Sequence, residues 1–343
     1  MSTLPVALVG GRRRRASRRR RMLALLGLLV ALAFAASLMI GHTLYGPVDV
    51  IRVIVGQDVP GASFTVGDLR LPRAALGLLA GVAFGMGGVT FQTMLRNPLA
   101  APDVIGISSG ASAAGVFGIV VLGLSGPAVS LVAVVAALGV ALLIYVLAWR
   151  DGVVGSRLVL IGIGVAAMLD SVVSWVLVRA SQWDLQAAMR WLTGSLNAAS
   201  WELVVPLLVV LLFAVPVLLA QARPLELLQL GDDAAAALGV RVERTRLIVI
   251  VSAVLLIACA TAAAGPIAFV AFLSGPIAAR SVGPGTSLLV PAGLVGALVV
   301  LSADQLGQWA LGTRYPVGVI TGALGAPFLV YLLARTHRSG GSL

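Results

Sequence analysis

The chain has 343 residues, of which 59% are hydrophobic and only 11% are charged. This composition excludes an ordinary soluble domain and indicates a protein that crosses a membrane several times. The formal net charge of +11 does not indicate a nucleic-acid partner, because eight of the 24 basic residues lie together at positions 12–15 and 18–21. We therefore expect the protein to lie in a lipid bilayer and to bind no nucleic acid.

The residue types that are absent or rare in the sequence exclude several kinds of active site and metal site. All 24 basic residues are arginine, and a phosphate-binding P-loop requires a lysine, so ATP hydrolysis through that motif is excluded. The single cysteine, Cys259, and the two distant histidines, His42 and His337, argue against a disulfide framework and against a histidine-based metal site. We therefore expect no catalytic set, no metal and no cofactor in this chain.

The arginine-rich segment, residues 1–21, stands directly before the first long apolar run, 22–40. A basic tail before a membrane helix is typical of a cytoplasmic anchor. The alternative is a signal peptide with a cleavage region at 35–37. The apolar run is 19 residues long and many further apolar runs follow it, which favours the cytoplasmic tail.

A spanning helix needs about 20 predominantly apolar residues. Ten segments meet or approach this length, at 22–40, 74–94, 104–124, 127–149, 157–177, 203–219, 247–264, 267–279, 287–303 and 316–333. The eighth is too short to span simply, so it is either broken or begins as a re-entrant piece.

An even number of spans places both termini on the same side of the membrane. With the N-terminus inside, 18 of the 24 arginines fall on the inner side, as the positive-inside rule requires. We therefore predict an all-α polytopic membrane protein with about ten transmembrane helices and both termini cytoplasmic. Residues 22–336 form one membrane domain, and residues 337–343 form a second cytoplasmic tail.

The second predicted span ends at an irregular stretch, Arg96-Asn97-Pro98, and a run of glycine and serine follows at 106–111. Irregular backbone at membrane depth is tolerated only where it contacts protein or lines a water-filled cavity. This stretch is therefore expected to face the inside of the helix bundle or a pathway through it.

The longest inner segment, 221–246, predicts two or three short helices at the membrane surface. Its Gly-Asp-Asp sequence at 231–233 predicts a turn and a helix N-cap, and Gly239 predicts the end of that helix. The alanines at 234–237 leave room for close approach by another protein surface. The alternative is a surface helix without a partner, because the helix dipole alone explains both carboxylates.

Ionisable residues inside membrane segments are candidates for functional sites. Asp170 lies in the fifth predicted span, where it is either a proton or ion site or a hydrogen-bond partner of Ser171 or Ser174. Asp304 lies at the end of the ninth span, next to Gln305, and a structural role is favoured there.

Five motifs follow one another along the chain: RLPR, FQTMLRNPLAAPDVIGISSGASAA, LGDDAAAALGV, GPIAFVAF and PVGVITGALGAPFLVYLL. Their order and spacing resemble the FecCD-type permease family, over roughly residues 23–334. Members of that family are membrane subunits of binding-protein-dependent ABC importers for iron–siderophores, heme and vitamin B12. Each motif alone is a weak signal, whereas all five in order are highly specific.

The resemblance implies a multi-pass transport subunit of the bacterial inner membrane rather than an enzyme. It implies a second permease subunit, identical or paralogous, two ATPase subunits that bind ATP and Mg²⁺, and a substrate-binding protein. A ferric-siderophore-type chelate is expected to move inward through the gap between the two permease subunits. The alternatives are a vitamin B12 or heme importer and a proton-coupled secondary transporter that uses Asp170.

The resemblance also implies three sets of candidate site residues. The substrate-pathway set is Gln92, Asn97, Pro98, Gly106, Ser108, Ser109 and Gly110. The ATPase-coupling set, within the inner segment 221–246, is Leu230, Gly231, Asp232, Asp233, Ala237, Leu238 and Gly239. The set for docking the binding protein is Arg70, Arg73 and Arg314.

The chain departs from the family pattern at two places. Gly275-Pro276 stands where a Pro-His pair is usual, so no role is assigned to a histidine there. Gln308 stands where an outer arginine is often found, and Arg314 is the candidate replacement.

Overall fold

The computed structural model describes residues 3–100, 106–149, 155–283 and 287–338. The helices in these ranges are α1 (Thr3–Met39), α2 (Pro47–Ile54), α3 (Leu71–Met94), α4 (Ile107–Val120), α5 (Pro127–Ala148), α6 (Gly155–Val178), α7 (Gln182–Leu192), α8 (Trp201–Ala220), α9 (Ala222–Leu227), α10 (Asp232–Ala237), α11 (Val242–Ala264), α12 (Val270–Val282), α13 (Leu289–Trp309) and α14 (Val317–Arg338). A π-helix, Ser63–Arg70, leads directly into α3, and a 3₁₀ turn, Leu228–Leu230, precedes α10.

Seven helices in the described ranges are long and apolar enough to cross a membrane. They are Ala16–Met39, Ser63–Met94, Pro127–Ala148, Arg157–Val178, Trp201–Ala220, Val242–Ala264 and Leu289–Trp309. Three shorter apolar helices accompany them, Ile107–Val120, Val270–Val282 and Val317–Leu332. Each of these helices coincides with one of the predicted spans. The predicted all-α polytopic membrane fold with about ten spans is therefore confirmed.

Helix α3 lies at the centre of the bundle, where most of its residues are buried against α8, α11, α12 and α13. Gly81 and Gly85 of α3 face α13 so closely that a β-carbon on either residue would overlap the α13 backbone at Ala297 and Ala292. Apolar burial gives little drive for association within lipid, so backbones that approach this closely gain their stability from packing. The glycines of the second predicted span therefore allow α3 to pack closely against α13.

The eighth span begins irregularly, as its short apolar run predicts. Helix α12 starts only at Val270, after the nonhelical segment 265–269. Phe269, the last residue of that segment, adopts a positive φ of 63°. Its ring fills the space that a β-carbon on Gly325 of α14 would occupy. Gly325, the first residue of the Gly-Ala-Pro-Phe sequence at 325–328, is thus the point at which α14 contacts Phe269.

Three elements on the outer side were not predicted: α2, the π-helix Ser63–Arg70 and α7. Each is short and carries charged residues, so none reaches the length and hydropathy that identify a spanning helix. The π-helix also extends the second span backwards, because Pro72 is accommodated in the first turn of α3. Similarly, the arginine-rich tail is helical from Thr3 and continuous with the first span in α1.

Candidate functional site

The inner segment folds as a short helical bend between α8 and α11. It consists of α9, the 3₁₀ turn Leu228–Leu230 and α10. Gly231 and Gly239 bracket α10 with positive φ angles of 112° and 87°, conformations that glycine adopts without steric cost. The turn and the helix end predicted at these two residues are therefore present.

Helix α10 directs one side inward and leaves the remainder accessible. Ala235 is completely buried, whereas Leu230 and Leu238 are 63% and 61% exposed. Exposed leucines beside small residues form an apolar surface that suits a partner protein. The sequence-predicted coupling residues are thus grouped on one inner surface, and their role in coupling stays a prediction.

The N-cap of α10 is Gly231, and Asp232 is the first residue of the helix. The carboxylate of Asp232 accepts hydrogen bonds from Arg246 of α11 at 2.9 Å and from Arg96 at 3.1 Å. Arg246 also donates to Glu243 at 3.1 Å. The charge network therefore ties α10 to α11 and to the end of α3.

The predicted break after α3 lies against this network. The Nε atom of Arg96 donates to the backbone oxygen of Leu228 at 2.9 Å. Asn97 stabilises the following turn, because its side-chain oxygen accepts a hydrogen bond from the backbone N–H of Leu99 at 2.9 Å. Asn97 and Pro98, predicted as pathway residues, therefore lie next to the inner segment.

Gln92, a third predicted pathway residue, is buried inside the bundle. Its side-chain amide donates to the backbone oxygen of Phe272 at 3.0 Å, and its side-chain oxygen lies where a β-carbon on Gly275 would overlap it. The observed contacts of Gln92 thus join α3 to α12. Because Gly275 has no side chain, Gln92 can occupy this position without a shift.

Two of the other predicted pathway residues, Ser108 and Ser109, line an open cleft of about 480 Å³ between α4, α6 and the connection from α11 to α12, whereas Gly106 and Gly110 are not among its lining residues. Serine hydroxyls of α4, Asp170 of α6 and apolar residues of the connection line it, namely Ser108, Ser109, Ser112, Asp170, Val173, Ser174, Leu192, Pro266, Ile267 and Ala268. Gly106 and Gly110 are buried at the start of α4. The segment 101–105, which leads to α4, lies outside the described residues.

Asp170 is the charged residue of this cleft. It is exposed, and no described residue donates a hydrogen bond to its carboxylate. Ser171 and Ser174, its expected partners, donate instead to backbone oxygens of the preceding turn, at Ala167 and Asp170. The sequence indicates Asp170 as a candidate but not its proximity to Ser108 and Ser109, because only the packing of α4 against α6 brings them together.

The docking set lies at the opposite end of the bundle. Two of its arginines, Arg70 and Arg73, make hydrogen bonds to other residues of the same chain. Arg73 forms a bidentate ion pair with Asp304 of α13, with its Nη2 atom 2.7 Å from Oδ1. Arg70 donates to the backbone oxygens of Leu38, Met39 and Thr43, at and just beyond the C-terminal end of α1. Free carbonyl groups at a helix end attract such a cation.

Arg314, the third member of this set, lies in an outer aromatic cluster. Its guanidinium contacts the imidazole of His42 and lies 5.7 Å from the centre of the Trp309 ring. His42 and Trp309 in turn pack edge to face, with 5.0 Å between ring centres. The part that these arginines have in docking a partner stays a prediction, whereas the structural role favoured for Asp304 is confirmed by its ion pair.

Known proteins resemble this chain over nearly all of its length. The model of the FecCD transport family matches residues 28–335. The ferric enterobactin transport system permease protein FepG of Escherichia coli (strain K12) is 40% identical over 294 residues, which cover 84% of this chain and 88% of that protein. The iron(3+)-hydroxamate import system permease protein FhuG of Bacillus subtilis (strain 168) is 34% identical over 329 residues, 92% and 97% of the two chains.

Two further comparisons widen the range of relatives. The vitamin B12 import system permease protein BtuC of Vibrio cholerae is 36% identical over 281 residues, 80% of this chain and 84% of that protein. A solved structure described as an inward-facing conformation of a metal-chelate type ABC transporter matches with a TM-score of 0.82 and 27% identity, and covers 92% of this chain and 99% of that chain. With the helical bundle, the glycine-packed α3 and the inner helical bend described above, these matches show that the chain is a multi-pass membrane permease of the FecCD transport family.

Proposed function

We propose that this chain is the membrane-spanning subunit of an ATP-driven importer in the bacterial inner membrane. It carries a ferric-siderophore-type chelate inward through the gap between itself and a second permease subunit. Family membership supports the role as an importer subunit. The two relatives named for ferric enterobactin and for iron(3+)-hydroxamate support a ferric chelate as the transported substrate. Vitamin B12 or heme is the alternative cargo, which the vitamin B12 relative keeps open.

The observation that carries the proposal is the exposed apolar surface of the inner bend. Leu230 and Leu238 flank the short helix α10, which is fixed to Arg96 and to α11 by the charges around Asp232. Two separate ATPase subunits would bind ATP and Mg²⁺ and contact this surface, so this chain needs no cofactor of its own. Displacement of α10 would then act on the ends of two long helices.

The cleft between α4 and α6 is the proposed contact region for the chelate. The serine hydroxyls of α4, at positions 108, 109 and 112, and the carboxylate of Asp170 offer polar contacts beside apolar walls. Polar groups at membrane depth require protein or water as neighbours, and an opposing permease subunit would provide the second wall. That subunit is either identical to this chain or paralogous.

The binding protein would deliver the chelate at the outer end. Arg314 is the exposed member of the docking set. Arg70 and Arg73 are half-buried in contacts within the chain and add positive charge beside it. Acidic groups on the binding protein would complement these charges. Complementary charge at the rim of an interface mainly accelerates and orients association.

Purification in mild detergent followed by mass spectrometry tests the assembly, and proteoliposomes test the transport. We expect ATPase subunits to accompany the chain, and we expect ATP-dependent uptake of a ferric chelate that exceeds uptake of cobalamin or heme. A preparation that contains no ATPase subunit would overturn the importer assignment. Uptake driven by a proton gradient without ATP, and abolished in Asp170→Asn, would instead establish the secondary transporter.

A further inference from the structure

Helix α3 ends at Arg96 in a conformation that arginine rarely adopts. The backbone N–H of Arg96 donates to the oxygen of Thr93, and that of Asn97 donates to the oxygen of Gln92, at 3.2 and 3.0 Å. This pair of bonds is the Schellman arrangement, in which the residue at the position of Arg96 is usually glycine. Arg96 nevertheless has a φ of 53°. Strain of this kind persists where the surrounding structure over-determines the residue.

The contacts of the Arg96 side chain hold the residue in this strained conformation. Its Nε atom binds the backbone oxygen of Leu228, a buried residue of the 3₁₀ turn, and its Nη2 atom binds the carboxylate of Asp232. One guanidinium therefore holds the turn and the first residue of α10 together. A residue chosen only to end the helix would need neither contact.

Asp232 is shared with Arg246, which belongs to a helix that crosses the whole bundle. The Arg246 side chain is only 10% exposed and lies 2.9 Å from Asp232. The pair between Arg96 and Asp232 is different, because its side chains are 45% and 48% exposed. Half-exposed ion pairs contribute little to stability, so loss of the contact between Arg96 and Asp232 is not expected to unfold the chain.

We propose that Arg96 is a positioning residue that makes the inner end of α3 follow the movement of α10. The proposal rests on the importer function proposed above. A displacement of α10 would pull on Arg96 through Asp232 and Leu228, and thereby on the turn at Asn97 that leads toward α4.

The variant Arg96→Gly separates this role from a purely structural one. Glycine adopts positive φ at least as readily as arginine, so the helix end is preserved and its strain is removed. If Arg96 merely ended the helix, Arg96→Gly would retain both stability and transport. If Arg96 links α3 to α10, the variant keeps its apparent unfolding temperature and loses transport.

The readout is the amount of chelate transported per ATP hydrolysed by the reconstituted complex of this chain with its ATPase subunits. We expect Arg96→Gly to lower this ratio clearly below the wild-type value, because α3 no longer follows α10, while ATP hydrolysis continues. Arg96→Lys keeps the charge but cannot bind both acceptors in the same way. Its ratio of chelate transported per ATP should lie between those of Arg96→Gly and the wild type. Arg244→Gln removes an exposed charge from the same inner surface and serves as the matched control at the wild-type ratio.

A double-mutant cycle with Asp232→Asn identifies the partner. If Arg96 acts through Asp232, the double variant loses clearly less than the product of the two single effects. Multiplicative effects, or a wild-type ratio in Arg96→Gly, would overturn the proposal. A wild-type complex without ATP-dependent transport would instead refute the importer function, so the two failures are distinguishable.

Discussion

The guanidinium of Arg73 and the carboxylate of Asp304 form a two-point ion pair that joins the outer ends of α3 and α13 across 231 residues of sequence. Asp304 is almost completely buried, and Gln308 donates a further hydrogen bond to it. A buried carboxylate is stable only while its partners remain. The pair is therefore a structural requirement at the edge where a binding protein is expected to dock.

The first prediction concerns this pair. Arg73→Ala should lower the free energy of unfolding by about 2–3 kcal/mol, because it leaves the buried carboxylate of Asp304 without its cation. The combined variant Arg73→Ala with Asp304→Ala should be more stable than Arg73→Ala alone. Thermal unfolding in detergent measures both, with the exposed Arg52→Ala as control. Equal stability of Arg73→Ala and Arg52→Ala would contradict the importance of the pair.

A second prediction tests the close approach of α3 and α13. Gly85→Val should destabilise the bundle by about 1–3 kcal/mol or prevent its folding, because the added side chain overlaps the backbone at Ala292. Gly139→Val on α5 is the control, since a β-carbon there meets nothing within 4 Å. The yield of monodisperse protein and its unfolding temperature distinguish the two variants. Equal tolerance at both positions would show that the helices can separate freely.

The third prediction uses two glycines of the same helix, α14. Gly325→Ala should cost about 1–3 kcal/mol because the new methyl group collides with the ring of Phe269. Gly322→Ala should be neutral or slightly stabilising, since nothing lies within 4 Å of a β-carbon there and alanine has the higher helix propensity. Comparing their unfolding temperatures tests whether Phe269 is held against α14. If the two variants have the same unfolding temperature, the contact between Phe269 and α14 does not contribute to stability.

The fourth prediction addresses the inner apolar surface. Leu238→Asp should weaken association with the ATPase subunits about tenfold, because a charge would be buried at the contact, while the exposed position leaves folding unaffected. Leu238→Met retains an apolar side chain and should bind normally. Titration of purified ATPase onto the permease measures both affinities. Unchanged affinity in Leu238→Asp would place the ATPase contact elsewhere.

The spans were predictable because lipid imposes a length and a hydropathy that the sequence displays directly. The inner bend was predictable from its glycines, since Gly231 and Gly239 signal turns wherever they lie. Tertiary pairs were not predictable. Nothing local to Arg73 indicates Asp304, and nothing near Ser108 indicates Asp170, because the packing of whole helices decides both.

Arg96 illustrates the same limit at one residue. The sequence shows a break at Arg96-Asn97-Pro98, and proline after a helix end is a familiar signal. It does not show that the arginine takes the conformation of a glycine, or that it reaches Leu228 and Asp232 more than 130 residues later. An arginine directly before Asn-Pro at a helix end is the signal that could have directed attention to it.

The glycine contacts between α3 and α13 have a mechanical consequence. Helices whose backbones touch at Gly81 and Gly85 cannot slide past each other without breaking that fit, so they move as one body. Arg96 lies at one end of this body, and the ion pair of Arg73 lies at the other. A tilt imposed on one end of this body is therefore expected to reappear at its other end, across the 24-residue helix α3.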